Sequence, residues 1–378
     1  MSLKQGFRRF LAQAPDRLHF AAHSHHPWPD VAYDGHVEYW EDSSRMVDDK
    51  WSHIFGTIVP DTRRLVASVL GLEDPETLTF GPNTHDFLVR LASCIEPPLR
   101  ILSSDAEFHS FTRQTRRWEE AGLAIVDRVP AEPFDDFAQR FARMASSGAH
   151  DMVYLSSVFF DSGYPVDQIE ELIAATPDDG SFWVVDGYHE FMARPMDLGP
   201  VADRAFYLAG GYKYAMAGEG VCFLHAPHGY GERPVDTGWY AGFGQLESGV
   251  GERVAYARDG SRFAGATYDP SGIYRLRSVL RWLEDEGMDV AAIHRHVVSL
   301  HDHFLESAPH PGELIPGRGA ERGNFLTFRT ERAGELYDAL HAKAVITDYR
   351  GDRLRLGFGI YHDQEDVDRL IDIFDTIV

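Results

Sequence analysis

The chain has 378 residues, 44% of them hydrophobic, and a formal net charge of −23. That length and apolar share suffice for a large core and fit one large domain with a smaller companion. The acidic balance argues against nucleic acid and anionic membrane surfaces as partners, since both select basic patches. No apolar run is long enough to span a bilayer, and the opening MSLKQGFRRF carries no secretory-signal core. The only two cysteines, Cys94 and Cys222, lie inside apolar runs and read as buried thiols, which fits a cytoplasmic protein.

The first 50 residues are rich in His and Trp, and AAHSHHPWPD places His23, His25 and His26 within four positions. No carboxylate or thiol stands at metal-ligand spacing beside them, so no metal site is expected. This segment is expected to pack with the C-terminal part, which divides the chain into 1–55, 56–248 and 249–378. From residue 77 onward short apolar runs alternate with helical patterns. The expected strands are 77–80, 100–105, 123–128, 152–158, 182–186, 205–210 and 220–225. In the helical stretches between them, Phe137, Phe141 and Met144 share one face, as do Ile169, Leu172 and Ile173. The alternation predicts an α/β fold with a mostly parallel, seven-stranded sheet covered on both sides. The last two strands lack a crossover helix between them and are expected to be antiparallel. Beyond residue 249 the pattern becomes that of a smaller α+β domain, with helices over IYRLRSVLRWLEDEG, 290–307 and EDVDRLIDIFDTIV. The helix 290–307 pairs His294 with His301 and His296 with His303, expected as a solvated surface.

The chemistry is concentrated at strand ends. Asp186 closes the run FWVVD, and Lys213 follows the run AFYLAG in otherwise apolar surroundings. Ligands of open α/β sheets bind beyond the carboxyl ends of strands. A lysine held there tends to lose its proton and becomes a nucleophile toward aldehydes. A neighbouring carboxylate suits a protonated ring nitrogen, and the pair points to pyridoxal phosphate. Asn83 or Thr84 opens the helix that buries Phe87, Leu88, Leu91, Ala92 and Ile95, where free N–H groups and the helix dipole favour a phosphate. The glycines at 210, 211, 218 and 220 do not have dinucleotide spacing and lead into no helix.

DGYH (186–189) followed by GGYKYAMAGEG (210–220) resembles the kynureninase branch of the class V aminotransferases, which are fold type I pyridoxal-phosphate enzymes. RPVDTGWYAG (233–242), RFAGATYDP (262–270) and RLRLGFGIYH (353–362) are similar to further motifs of that branch, in the same order. The resemblance implies that Lys213 carries the cofactor and shuttles the α-proton, and that Asp186 binds the ring nitrogen. It implies that His109 stacks on the ring, that His189 lies at its edge, and that Tyr212 and Thr84 hold the phosphate. Thr267 and Trp239 are implied to act across a homodimer interface, and Arg355 to grip the substrate carboxylate. At the pocket the chain departs from the branch: His23-Ser24-His25-His26 stands where kynureninases carry G-N-S-L-G. Ser24, His25 and His26 are therefore the expected substrate contacts. The implied reaction is kynureninase-like cleavage of a β,γ C–C bond in an amino-acid side chain, with transamination as the alternative. A desulfurase is disfavoured because no cysteine follows Cys222.

Overall fold

A computed structural model of the protein describes residues 2–248, 253–317 and 319–378. Strands β1 (Leu78–Gly81), β2 (Leu99–Ser104), β3 (Ala124–Val129), β4 (Met152–Ser156), β5 (Phe182–Asp186), β6 (Ala205–Gly210) and β7 (Cys222–His225) form one sheet. Their order is β1-β7-β6-β5-β4-β2-β3, and only β7 runs against the rest. Every residue of β4, β5 and β6 is buried, because both faces are covered; this is why these runs are continuously apolar rather than alternating. The edge strand β3 is half-exposed.

The helices used below are α1 (Asp30–Met46), α2 (Thr84–Ala92), α3 (His109–Glu120), α4 (Phe137–Ala145), α5 (Ser271–Asp285), α6 (Val290–Ser307), α7 (Ala333–Ala342) and α8 (Gln364–Ile377). On one face of the sheet α2 buries Phe87, Leu88 and Leu91 with Ile101, Val184 and Phe206. On the other, α4 buries Phe137 and Phe141 with Val153, Leu155 and Trp183. Each buried Phe contributes roughly 1.5–3 kcal/mol. Met144 departs from the expected face and is exposed; Ala145, one full i+4 step beyond Phe141, takes the inward place.

The second half of the chain adds an antiparallel sheet of β8 (Glu313–Ile315), β9 (Phe325–Arg329), β10 (Asp348–Arg350) and β11 (Arg353–Gly357), in the order β10-β11-β9-β8. Val297, Leu300 and Phe304 of α6, Leu336 and Leu340 of α7, and Leu370 and Phe374 of α8 pack on it. Because α6 is enclosed by this core, His301 is buried edge-on to Phe358, not solvated. Of its neighbours, His294 meets the Asn324 side chain and His303 meets Asp368. The N-terminal segment packs on these same elements. Leu18–His19 pairs in parallel with Val345–Ile346, Ala21 bridges Gly357, and α1 lies along α5, where Tyr274 donates to Asp42 at 3.1 Å. The expected boundary at 248/249 abuts residues 249–252, which lie outside the described residues.

Candidate active site

The turn between β6 and β7 closes on itself. Gly211 N–H donates to Val221 O at 2.8 Å, Ala217 N–H to Gly211 O at 2.8 Å, and Met216 N–H to Lys213 O at 2.9 Å. Gly218 has φ +73°, and a Cβ there would lie 2.2 Å from the Trp28 ring, so both backbone and space demand glycine. From α5, Arg275 donates through Nε to Ala217 O at 2.6 Å and through Nη2 to Glu219 O at 2.5 Å. Lys213 is thus presented from a fixed turn beyond the carboxyl edge of the sheet, and its side chain is buried.

Lys213 Nζ lies 2.5 Å from His189 Nε2, 5.3 Å from the Phe108 ring centre and 4.9 Å from that of Tyr188. Burial lowers its pKa from 10.5 to about 7; Asp186 opposes the shift and Arg355 reinforces it. His189 is held well below its usual range, chiefly by burial and then by Lys213, so it faces the amine as a neutral ring. Asp186, at the end of β5, accepts from Tyr154 Oη at 2.7 Å and from the Tyr188 N–H at 3.0 Å. Burial raises its carboxyl, while these two donors and Lys213 pull the other way. Glu107 ties the ends of β2 and β4 together, accepting from Ser104 Oγ at 2.6 Å and Ser156 Oγ at 2.5 Å; burial pushes it up to about 7.

Across the cleft, Arg355 on β11 donates through Nη1 to Phe160 O and through Nη2 to Asp348, while its Nε is buried without a hydrogen-bond partner. Arg353 is not solvated: it pairs with Asp161 and with Glu132. His23 is fully buried and stacks on Phe325 with ring centres 4.7 Å apart.

The structure brings Lys213, Asp186, His189 and Arg355 into one electrostatic neighbourhood. His109 is exposed at the start of α3, 5.0 Å from the Phe160 ring; the aromatic ring on that strand end that faces Lys213 belongs to Phe108. Asn83 caps α2, accepting from Asp86 N–H at 2.8 Å, and Thr84 is that helix's first residue. Tyr212 is half-buried against His25. Trp239 Nε1 donates to Thr267 Oγ1 at 2.9 Å on the surface. Of the expected substrate contacts, Ser24 is half-buried and His25 lies 3.8 Å from Glu219. His26 turns the other way, into a cage of Phe7, Tyr214 and Tyr361. Sequence reasoning missed His23, Phe108, Tyr154, Phe160 and Asp348. Tyr154 alone left a signal: a polar-tipped side chain in the strand that pairs with the one ending at Asp186.

Seven strands in this order with one reversed, joined to a smaller antiparallel sheet, define the fold type I class of pyridoxal-phosphate enzymes. Within that class the chain belongs to the class V aminotransferases, whose family description, Aminotransferase class-V, matches residues 27–370. It is 24% identical over 316 residues to the "Uncharacterized aminotransferase YcbU" of Bacillus subtilis (strain 168), covering 82% of this chain and 81% of that one. It is 27% identical over 347 residues to "Isopenicillin N epimerase" of Streptomyces clavuligerus, covering 83% of each. Among solved structures, the cystine C-S lyase C-DES superposes with a TM-score of 0.81 at 17% identity, over 97% of this chain and 99% of that one. The three are named for three different reactions, so the likeness fixes the family and not the reaction. The cofactor of the family is pyridoxal 5'-phosphate, and the cleft fits it. Lys213 offers a buried, readily neutral amine, and Asp186 offers a buried carboxylate, raised by burial, that a cationic ring nitrogen would match. Among the described residues no helix is long and apolar enough to cross a membrane, and no group of three or more His, Cys, Asp or Glu is placed to hold a metal ion.

Proposed function

We propose that the protein acts on an α-amino acid by moving its α-proton, with Lys213 as the base, and that transamination is the outcome. The observation that carries this is the pairing of a buried lysine of pKa about 7 with a buried aspartate at the end of the adjoining strand. Bound pyridoxal phosphate supplies an electron sink for the substrate's α-carbon. Asp186 holds the proton on the ring nitrogen, and Tyr154 and the Tyr188 N–H fix the carboxylate's direction. Lys213, with its readily neutral Nζ, would hold the cofactor and serve as the base that accepts and returns the α-proton. His189, a neutral ring at 2.5 Å, orients the amine. Phe108, its ring 5.3 Å from Lys213 Nζ, would lie against the cofactor in the place the resemblance gives to His109, and His109 stands beside Phe160. The first turn of α2, with Asn83 and Thr84, and Tyr212 receive the phosphate. Arg355 takes the α-carboxylate. Trp239 and Thr267, hydrogen-bonded at the surface, complete the site of a second copy in a homodimer. Beyond the water that would release the keto acid, transamination would ask this chain only for a base at the α-proton, a role Lys213 fills, and one relative is named as an aminotransferase.

Kynureninase-like β,γ cleavage is the second reading. Five sequence motifs support it, and so do the aromatic rings near the lysine, Phe108 at 5.3 Å from Nζ with Phe160 packed on it, which suit an aryl side chain. One relative, 21% identical, is named "Probable cysteine desulfurase", but the thiols disfavour a persulfide-forming desulfurase: burial pushes Cys94 and Cys222 up to about 12, leaving both protonated. The test is a screen of amino acids with cofactor-loaded protein. A keto acid with pyridoxamine phosphate marks transamination, and anthranilate from kynurenine marks cleavage. Borohydride reduction that leaves Lys213 unlabelled overturns both readings.

A further inference from the structure

His23 and His301 are both buried with two unpartnered ring nitrogens, and of the two it is His23 that lies beside Arg355 and Lys213. Neither ring nitrogen has a hydrogen-bond partner among the described residues, although the side chain is fully buried. Leaving a buried donor or acceptor unmet costs about 1–3 kcal/mol, so such a group calls for a partner that arrives from outside the chain. The backbone aims this ring. Phe20 O accepts from Gly357 N–H at 2.7 Å and Ala21 bridges Gly357, which anchors the segment to the end of β11. A Cβ on Gly357 would lie 2.2 Å from His23 Nδ1, so the ring occupies the room that this glycine leaves. With Nδ1 on Gly357 and one face on Phe325, Nε2 points toward Asp348 Oδ2, 3.9 Å away and beyond hydrogen-bond reach.

Asp348 is the carboxylate already bound to Arg355 Nη2, and Arg350 holds its other oxygen at 2.9 Å. Phe160 O takes Arg355 Nη1. Two of the three guanidinium nitrogens are therefore engaged within the chain, and the third, Nε, is buried and unpartnered. An arriving carboxylate finds only part of a fork on Arg355 and needs a second donor beside it. His23 is also kept from taking up a proton, chiefly by burial and then by Arg355 and Lys213. A neutral imidazole still carries one N–H.

We infer that His23 is a specificity-determining residue that completes the carboxylate clamp, its Nε2–H donating to the substrate α-carboxylate beside Arg355. This rests on the proposal that the protein acts on α-amino acids. It sharpens the substrate class to those with a free α-carboxylate, and it separates His23 from the three neighbours expected from sequence.

The experiment titrates cofactor-loaded protein by absorbance with L-phenylalanine and phenethylamine, and with L-tyrosine and tyramine; each pair differs only in the carboxylate. His23→Ala is expected to weaken amino-acid binding about tenfold or more while leaving the amine unchanged. His23→Gln, which keeps an N–H donor, recovers most of the loss. Equal losses for amino acid and amine, no loss at all, or a wild type that gains nothing from the carboxylate overturns the assignment. Borohydride labelling of Lys213 in each variant reports separately on the underlying proposal: an unlabelled wild type removes that proposal, whereas intact labelling with equal titrations removes only the role of His23.

Discussion

Replacing Lys213 by methionine is expected to stabilise the cofactor-free protein, and by an amount that depends on pH. In the unfolded chain the amine titrates near 10.5, and in the folded protein near about 7. Between those values the unfolded chain holds more protons, so the lysine's contribution makes stability rise with pH. The penalty is fully present below pH 7 and is gone above 10.5. With 1.36 kcal/mol per pKa unit, the charged amine costs the fold about 5 kcal/mol at pH 6 and about 2 kcal/mol at pH 9. The advantage of Lys213→Met over wild type is therefore expected to shrink by about 2–3 kcal/mol from pH 6 to pH 9. Urea unfolding of both proteins at the two pH values measures it, since titrating groups away from Lys213, unlike its neighbours Asp186 and His189, cancel in the difference. A gap that stays constant or widens with pH would refute a buried lysine with a depressed pKa, and with it the reason to regard Lys213 as the nucleophile.

Tyr154→Phe removes a 2.7 Å donor from Asp186, so the carboxyl shifts further upward; turnover is expected to fall about 10- to 100-fold with little change in KM, read by steady-state kinetics. Arg275→Met frees two carbonyls of the lysine turn; a loss of about 2–4 kcal/mol in denaturant unfolding is expected. Gly218→Ala strains a residue at φ +73° and meets Trp28; it should destabilise by about 1–3 kcal/mol and slow borohydride-trapped cofactor attachment at Lys213.

The large sheet was legible because its central strands are buried on both faces and so appear as unbroken apolar runs. The reversed direction of β7 followed from the absence of a helix between it and β6. Lys213 and Asp186 were legible because strand ends are where such sheets place chemistry. His23 was not. Three histidines within four residues carry no sign of which one is buried beside Arg355 and Lys213; the pairing of Phe20 and Ala21 with Gly357, more than 300 residues away in sequence, places His23 there. The same long-range control explains His301. Its helical spacing suits a wet surface, but the packing of α6 on the smaller sheet encloses it. Phe108 and His109 are adjacent, and only the exit angle of the chain from β2 selects the one that meets the lysine.

The turn that carries Lys213 is anchored at both ends to neighbouring strands and gripped from above by Arg275, so it has no slack. Lengthening it by even one residue would swing the amine away from Asp186. Diversification toward new substrates therefore has no room at the lysine, and a library built on this scaffold should leave 211–221 untouched.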